Sequence, residues 1–259
     1  MCAANLTEKC LFCNPRDFCQ ENQILLRSEN LYLFAGLGQI VDGYILITPY
    51  RCDDHLNPLR CLADFPVKLL DELLFLRNLV SDFYQVTYSY GDAGMHFEHG
   101  RVNLCTQSML GTRHCCHAHL CCYPVNIALW DYMHDLQTEN LPNLYGLDEK
   151  CSNSQYLLIQ VSTPRNTESP NSSKREQWIT RIAIVPETME LTGQYFRRLL
   201  AQGIGEPELW DWSKYPMWER ITKLKSEFRH WASTQDKYNI INDEDNTLRI
   251  DLTESFLNG

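Results

Sequence analysis

The chain has 259 residues, of which 44% are hydrophobic and 22% charged, and it carries 12 cysteines and a formal net charge of −10. An aromatic fraction of 11% supplies material for a buried core, which excludes disorder of the whole chain. The acidic charge argues against a bulk nucleic-acid coat protein, and the cysteine fraction is too low for a small disulfide scaffold.

No stretch of about 18 consecutive apolar residues is present, so we expect no membrane span. The first ten residues have neither a basic region nor a long apolar region, and we therefore expect no secretory signal. The expected location is cytoplasmic. In that reducing compartment the cysteines should be thiols, metal ligands or core residues.

The predicted elements alternate between short apolar strands and amphipathic helices. Strands are predicted twice within residues 23–35 and at 43–49, 93–98, 115–123, 154–162 and 178–185. Helices are predicted at 66–85, 191–202 and from 216 to about 231. A segment rich in Ser, Thr, Pro and Asn at 163–174 predicts a flexible hairpin loop. Hairpins with segregated helices predict an α+β fold.

Residues 236–259 are polar and are predicted to form a loose tail.

The segment with the most distinctive chemistry is His114-Cys-Cys-His117-Ala-His119-Leu-Cys121-Cys. On a strand, alternate side chains share a face. Cys115, His117, His119 and Cys121 then form a titratable face, while Cys116, Ala118, Leu120 and Cys122 form a small, apolar face suited to a core.

This strand has two interpretations from the residues alone. One is structural, with core cysteines and exposed histidines or a structural metal cluster. The other is catalytic, because paired histidines on one face can act as a nucleophile and its hydrogen-bond partner.

At these residues the chain resembles the histidine-triad (HIT) superfamily of nucleotide hydrolases and transferases. That signature is His-x-His-x-His, and here it reads His117-Ala-His119-Leu-Cys121. Further pieces follow the family order: Cys10-Leu-Phe-Cys13, residues 41–52 and Phe97-Glu-His-Gly100. Residues 194–198 and 210–212 resemble the C-terminal extension of a longer bacterial-type branch.

The resemblance implies a HIT-like antiparallel sheet of about five strands, a long packed helix and a C-terminal helical extension. It places a nucleotide-binding core at residues 8–130 and an extension packed on that core at 131–235. It also implies a covalent mechanism in which the middle histidine, His119, attacks the α-phosphorus of a nucleotide. His117 would orient His119 or contact phosphate. The expected substrate is a dinucleoside polyphosphate or a nucleoside phosphoramidate, and relatives often form homodimers through the long helix.

One departure from the signature concerns catalysis. The third triad histidine is Cys121, and a neutral thiol is a poor hydrogen-bond donor to a leaving oxygen. Some relatives that transfer nucleotides rather than hydrolyse them also lack this histidine and carry glutamine there. A nucleotidyltransferase or phosphorylase therefore remains an alternative, and so does a non-catalytic, zinc-stabilised nucleotide-binding module.

The resemblance also implies a structural Zn²⁺ and no organic cofactor. The matching ligands are Cys10, Cys13 and Cys52, with His55 a near neighbour. A Cys-x-x-Cys pair with a third thiolate suits zinc. The fourth ligand is His117 by analogy, or His114.

Six further residues are candidates for contact with the substrate. By resemblance, Glu98 and His99 end a strand where the family contacts ribose or phosphate, and the alternative is an exposed strand end. Arg197 is expected in solvent or at the distal phosphates, the latter by a bidentate contact. The full set is Glu98, His99, Asn103, Gln107, His114 and Arg197.

Overall fold

A computed structural model of the chain describes residues 12–13, 23–52, 58–88, 94–102, 117–125, 127, 129–162, 178–243 and 247–252. These residues form a mixed α+β fold, as predicted, in which a ten-stranded sheet is covered on both faces. No α-helix within them combines the length and the apolar character that crossing a membrane requires.

All strands of the described residues belong to one sheet. In chain order these are β1 (Ile24–Arg27), β2 (Leu31–Ala35), β3 (Ile45–Pro49), β4 (Met95–Gly100), β5 (Leu120–Tyr123), β6 (Glu139–Asn140), β7 (Tyr156–Ser162), β8 (Trp178–Ile184), β9 (Ile240–Asn242) and β10 (Leu248–Ile250). Their order across the sheet is β6-β8-β7-β4-β5-β3-β2-β1-β10-β9. Neighbours are antiparallel, except that β1 and β10 run parallel.

The expectation of about five strands is wrong. Strands β6 to β8 come from the predicted extension, and β4 pairs with β7 along its whole length, so the extension continues the core sheet. The shortest strands, β6, β9 and β10, have two or three residues. Segments of that length carry too little alternation for a sequence pattern to identify them.

The helices of the described residues are α1 (Val67–Thr87), α2 (Leu147–Cys151), α3 (Tyr195–Gly203) and α4 (Trp218–Ala232). The long helix α1 follows Pro66, which occupies the N-cap in an extended conformation. Its apolar side chains recur every three to four residues and are buried against the sheet. Helix α4 joins this layer, where Phe83 and Phe228 pack edge to face with ring centroids 5.1 Å apart.

Helices α3 and α4 begin later than the sequence predicted. Gln194 and Met217, the residues that precede them, have φ values of 61° and 58°. This left-handed conformation interrupts a right-handed helix. The apolar periodicity on which the prediction rested does not report such a local backbone turn.

The opposite face of the sheet is covered by α3 and the segments around it. Phe97 on β4 packs against Phe196 on α3 with ring centroids 4.7 Å apart. On the same face, Tyr44 and Tyr123 stack almost in parallel at 4.3 Å. Burial on both faces explains why all seven residues of β7 are buried.

The loose tail predicted after Asp236 is wrong for the described residues there. Strands β9 and β10 pair with each other, and β10 pairs with β1. Leu248, Ile250 and Leu252 alternate with exposed polar residues and are buried. Apolar side chains at a spacing of two share one strand face, so a polar-looking segment still supplies core residues.

A buried glutamate joins α1 to the turn between β1 and β2. Glu72 accepts hydrogen bonds from the Ser28 hydroxyl at 2.6 Å, the Asn30 backbone N–H at 2.7 Å and the Leu31 backbone N–H at 3.2 Å. A buried carboxylate is costly unless its oxygens are hydrogen-bonded. Glu72 therefore fixes this hairpin against the long helix.

Candidate functional site

The predicted alternation along the histidine strand is confirmed where the structure describes it. Ala118, Leu120 and Cys122 are buried in the apolar cluster that includes α1, while Cys121 belongs to the cluster on the opposite face. The prediction of a strand over 115–123 is wrong for residues 117–119: regular strand pairing begins at Leu120, so the two histidines lie just before β5. His114 lies outside the described residues.

His119 is half-buried, and one of its ring nitrogens is fixed. Its Nδ1 lies 2.9 Å from the carbonyl oxygen of His117. A carbonyl oxygen only accepts, so Nδ1 carries the hydrogen and the neutral ring keeps its lone pair on Nε2. The ring of Phe12 stacks on the imidazole with centroids 6.0 Å apart. His119 therefore has the tautomer of a nucleophile that attacks through Nε2.

His117 is buried and has the opposite tautomer. Its Nε2–H donates to the carbonyl oxygen of Pro49 at 2.8 Å. The lone pair then lies on Nδ1, which is 3.7 Å from the sulfur of Cys13. Phe12 also packs against this ring, with centroids 5.2 Å apart. A hydrogen bond from the far nitrogen to a backbone carbonyl is the usual orientation of a histidine that binds a metal.

Three predicted metal ligands come together at this point. The ligand atoms of Cys13, Cys52 and His117 all lie within 4.8 Å of one another. The backbone N–H of Cys52 also points at the sulfur of Cys13, at 3.3 Å. Zinc bonds of about 2.3 Å to sulfur and 2.0 Å to nitrogen place tetrahedral ligand atoms roughly 3.5–3.8 Å apart. The donor set and its spacing therefore fit Zn²⁺. Cys10 and His55, like His114, lie outside the described residues.

Cys121, which stands where the resemblance would place a third histidine, is buried. Its sulfur lies 3.4 Å from the hydroxyl of Tyr44. Burial raises the pKa of this thiol to about 12, so it is uncharged at neutral pH. It belongs to the apolar cluster on the α3 face of the sheet. Cys121 is therefore neither a thiolate nucleophile nor a practical acid for a leaving oxygen.

Glu98 differs from both predictions made for it. It is neither an exposed strand end nor a group with oxygens open to a substrate, because its side chain lies on the α1 side of the sheet and is 4% exposed. It accepts hydrogen bonds from the backbone N–H of Leu62 at 2.7 Å and from the Tyr156 hydroxyl at 2.6 Å. Burial raises its pKa to about 7. A pattern match at a strand end does not reveal which face a side chain occupies.

His99 projects from the opposite face of β4. In its hydrogen bond with Gln155, the two side-chain nitrogens are 2.5 Å apart. Burial lowers the pKa of His99 to about 4, with a smaller electrostatic contribution from its neighbour His119. His99 is therefore neutral at physiological pH and close enough to His119 for the two to interact electrostatically.

Arg197 is not solvated, contrary to the first expectation. Its guanidinium is buried and donates to the carbonyl oxygens of Gly38 at 2.8 Å and Trp210 at 3.1 Å, and to the Tyr123 hydroxyl at 3.0 Å. These bonds join the sheet to the segment after α3. Asn103 and Gln107 lie outside the described residues.

Two contributors to the site were missed by sequence reasoning. Phe12, inside the Cys-x-x-Cys pair, contacts both histidine rings, and its position between the cysteines was a usable signal. The carbonyl of Pro49 fixes the His117 tautomer, and a backbone acceptor leaves no mark on the sequence.

No protein-family model matches this chain, and no curated protein matches it either.

Proposed function

We propose that this chain is a HIT-type enzyme that cleaves a phosphoanhydride bond of a nucleotide through a covalent nucleotidyl-His119 intermediate. The observation that carries the proposal is the hydrogen bond from His119 Nδ1 to the carbonyl oxygen of His117. It holds the imidazole in one tautomer and directs the lone pair to Nε2. The half-buried position of the ring allows a substrate to approach.

In the proposed reaction, the Nε2 lone pair of His119 forms a bond to the α-phosphorus. The bond from phosphorus to the bridging oxygen breaks, and the leaving phosphate departs with that electron pair. A water molecule then attacks the same phosphorus, the phosphorus–nitrogen bond breaks, and the imidazole regains its lone pair. The proton lost by the water goes to solvent, and a nucleoside monophosphate is released.

The leaving group follows from Cys121. A buried neutral thiol does not protonate a departing atom in the way that a histidine can. A phosphate leaves readily without a proton, whereas an amine requires one. We therefore favour a dinucleoside polyphosphate or a similar anhydride over a nucleoside phosphoramidate as the substrate.

The same observation favours a second candidate, a nucleotidyltransferase or phosphorylase. Transfer from the intermediate to phosphate or a sugar phosphate also needs no acid at Cys121. Product analysis with and without added inorganic phosphate separates the two, because phosphorolysis yields a nucleoside diphosphate in place of the monophosphate.

We propose Cys13, Cys52 and His117 as ligands of a structural Zn²⁺, with Cys10 completing the set. Bound zinc would act as a fixed cross-link between three chain segments. The backbone carbonyl of His117 orients the ring of His119, so a metal bond to the His117 side chain would also restrict the position of His119. In this arrangement His117 acts on the phosphate only indirectly.

The direct test compares His119→Ala with His134→Ala, which removes an exposed histidine and serves as the matched control. Both variants and the parent are assayed against diadenosine polyphosphates. We expect His119→Ala to lose at least about 10³-fold in kcat, by analogy with the loss of other covalent nucleophiles, and His134→Ala to match the parent. Unchanged turnover in His119→Ala contradicts the mechanism. Tight nucleotide binding by the parent without any turnover favours the non-catalytic module.

A further inference from the structure

A single buried carboxylate holds two successive backbone amides of the 3-10 turn Leu62–Asp64, one directly and one through a tyrosine hydroxyl. Glu98 Oε1 accepts from the N–H of Leu62 at 2.7 Å, and Oε2 accepts from the hydroxyl of Tyr156 at 2.6 Å. The oxygen of that hydroxyl in turn accepts from the N–H of Ala63 at 3.2 Å. Glu98 therefore holds the amide of Leu62 directly and that of Ala63 through Tyr156.

Just before this turn, Leu59 is hydrogen-bonded to the residue between the two histidines. The N–H of Leu59 donates to the carbonyl of Cys52 at 2.8 Å, and the carbonyl of Leu59 accepts from the N–H of Ala118 at 3.1 Å. Ala118 lies between His117 and His119 in the chain. The next peptide group, between Ala118 and His119, is fixed by the Thr48 hydroxyl, which donates to the Ala118 carbonyl at 2.9 Å.

We infer that Glu98 is a positioning residue for the two histidines, acting through residues 59–63 on the peptide of Ala118, and that the proton on its carboxyl group sets how firmly this segment is held. The catalytic meaning of the inference rests on the proposed function. The mechanical part does not, because it concerns hydrogen bonds within the chain.

The titratable and charged groups around Glu98 come from several elements. They are Tyr156 on β7, Cys61 before the turn, Asp64 within it, His119 before β5, Arg101 after β4 and Cys151 on α2. Burial dominates over these neighbours and raises the pKa of Glu98 to about 7. Local opening of the segment would hydrate the Glu98 carboxylate and remove the free-energy cost of burying its charge. Ionisation therefore favours opening, and the segment is held most firmly while Glu98 is protonated.

The mechanical test measures backbone amide exchange in the full chain. We compare the protection factors of Leu62, Ala63 and Ala118 between pH 5 and pH 7.5 in the parent, in Glu98→Gln and in the control Glu72→Gln. Glu72 is also buried and bonded to backbone amides, but it holds the β1–β2 turn. We expect protection in the parent to fall about tenfold or more as the pH rises. We expect no such fall in Glu98→Gln and the full fall in Glu72→Gln.

The catalytic test measures kcat and KM for a diadenosine polyphosphate. Glu98→Ala removes the acceptor of Leu62, and we expect kcat to fall about ten- to hundredfold at nearly constant KM. Glu98→Gln retains an acceptor for Leu62 and is expected to restore most of kcat. Glu72→Ala should leave kcat unchanged.

The outcomes separate this inference from the proposed function. An identical pH-dependent fall in Glu98→Gln and the parent, or no fall in the parent, overturns the inference even if the enzyme is active. The expected exchange pattern in a parent that shows no turnover supports the role of Glu98 and counts against the proposed function alone. If Glu98→Ala does not fold, the exchange comparison with Glu98→Gln still decides.

Discussion

His119 donates its Nδ1 hydrogen to the carbonyl oxygen of His117, while the ring of His117 uses its other nitrogen, Nε2, to donate to Pro49. The two histidines are two residues apart in the chain but have opposite tautomers. One lone pair lies beside the sulfur of Cys13, and the other lies on a half-buried ring. Within three residues, one histidine thus has the tautomer suited to binding a metal through Nδ1, and the other has the tautomer suited to nucleophilic attack through Nε2.

The first prediction concerns the metal. Purified protein should contain about one zinc per chain, because three soft or imidazole donors converge within 4.8 Å. Cys13→Ser and Cys52→Ser should each lose most of it, measured by elemental analysis after dialysis. Cys151→Ser is the control, since this cysteine is buried at the end of α2, away from the cluster. Equal zinc content in Cys52→Ser and Cys151→Ser contradicts the site.

The second prediction concerns the leaving group. Without an acid at Cys121, the rate of cleavage should depend steeply on the basicity of the departing group. We expect kcat/KM for a series of adenosine 5′-phosphate aryl esters to fall strongly as the pKa of the phenol rises. Adenosine 5′-phosphoramidate should be a poor substrate. A flat dependence, with fast phosphoramidate cleavage, would show that another group protonates the leaving atom.

The third prediction concerns Arg197. Replacing it with Met leaves the carbonyls of Gly38 and Trp210 and the hydroxyl of Tyr123 without their charged donor. Urea denaturation should show a loss of about 2–4 kcal/mol in the free energy of unfolding. Arg198→Met removes the neighbouring guanidinium that stacks on Trp210, and we expect a loss of about 0.5–1 kcal/mol. Equal losses in the two variants would argue against an anchoring role for Arg197.

The fourth prediction concerns stability and pH. The pKa of Glu98 is raised from 4.5 to about 7 in the folded protein, so between these values the folded state binds more protons than the unfolded state. Stability from this group is therefore full below about pH 4.5 and decreases as the pH rises to 7, by up to about 3 kcal/mol. Glu98→Gln should lack this decrease.

His96 and His99 act in the opposite direction, because burial lowers the pKa of both in the folded protein. Their contribution to stability rises with pH until the ordinary histidine pKa of 6.5 is passed. The measurement is therefore the difference between the parent and Glu98→Gln in urea denaturation at several pH values. A difference that stays constant from pH 4.5 to pH 7.5 contradicts the raised pKa.

Much of the fold follows from local pattern. The strands at 43–49, 154–162 and 178–185 and the helix at 66–85 were predicted to within a few residues, since their apolar periodicity is strong. The two- and three-residue strands were not predicted, and neither was the return of the last segment to β1. Those features depend on pairing between distant parts of the chain, which no local window contains.

The sequence predicts the residue types of the candidate site, but it does not predict which side of a strand or helix each side chain occupies. Cys13, Cys52 and His117 were expected together, and the structure brings them together. The motifs offer Glu98 and Arg197 as substrate contacts, with an exposed position as the alternative, yet both side chains are buried and form hydrogen bonds within the protein. Which side of a strand or helix a polar side chain occupies depends on tertiary packing, and a motif does not record it.

The central claim is tested most directly by isolating the intermediate. The parent, His119→Ala and His134→Ala are mixed briefly with a diadenosine polyphosphate, denatured at high pH, where phosphorus–nitrogen bonds persist, and digested for mass spectrometry. The account predicts one added adenylyl group on the peptide that contains His119, in the parent and in His134→Ala. Turnover without any adenylylated peptide, or an adenylyl group that persists in His119→Ala, would contradict it.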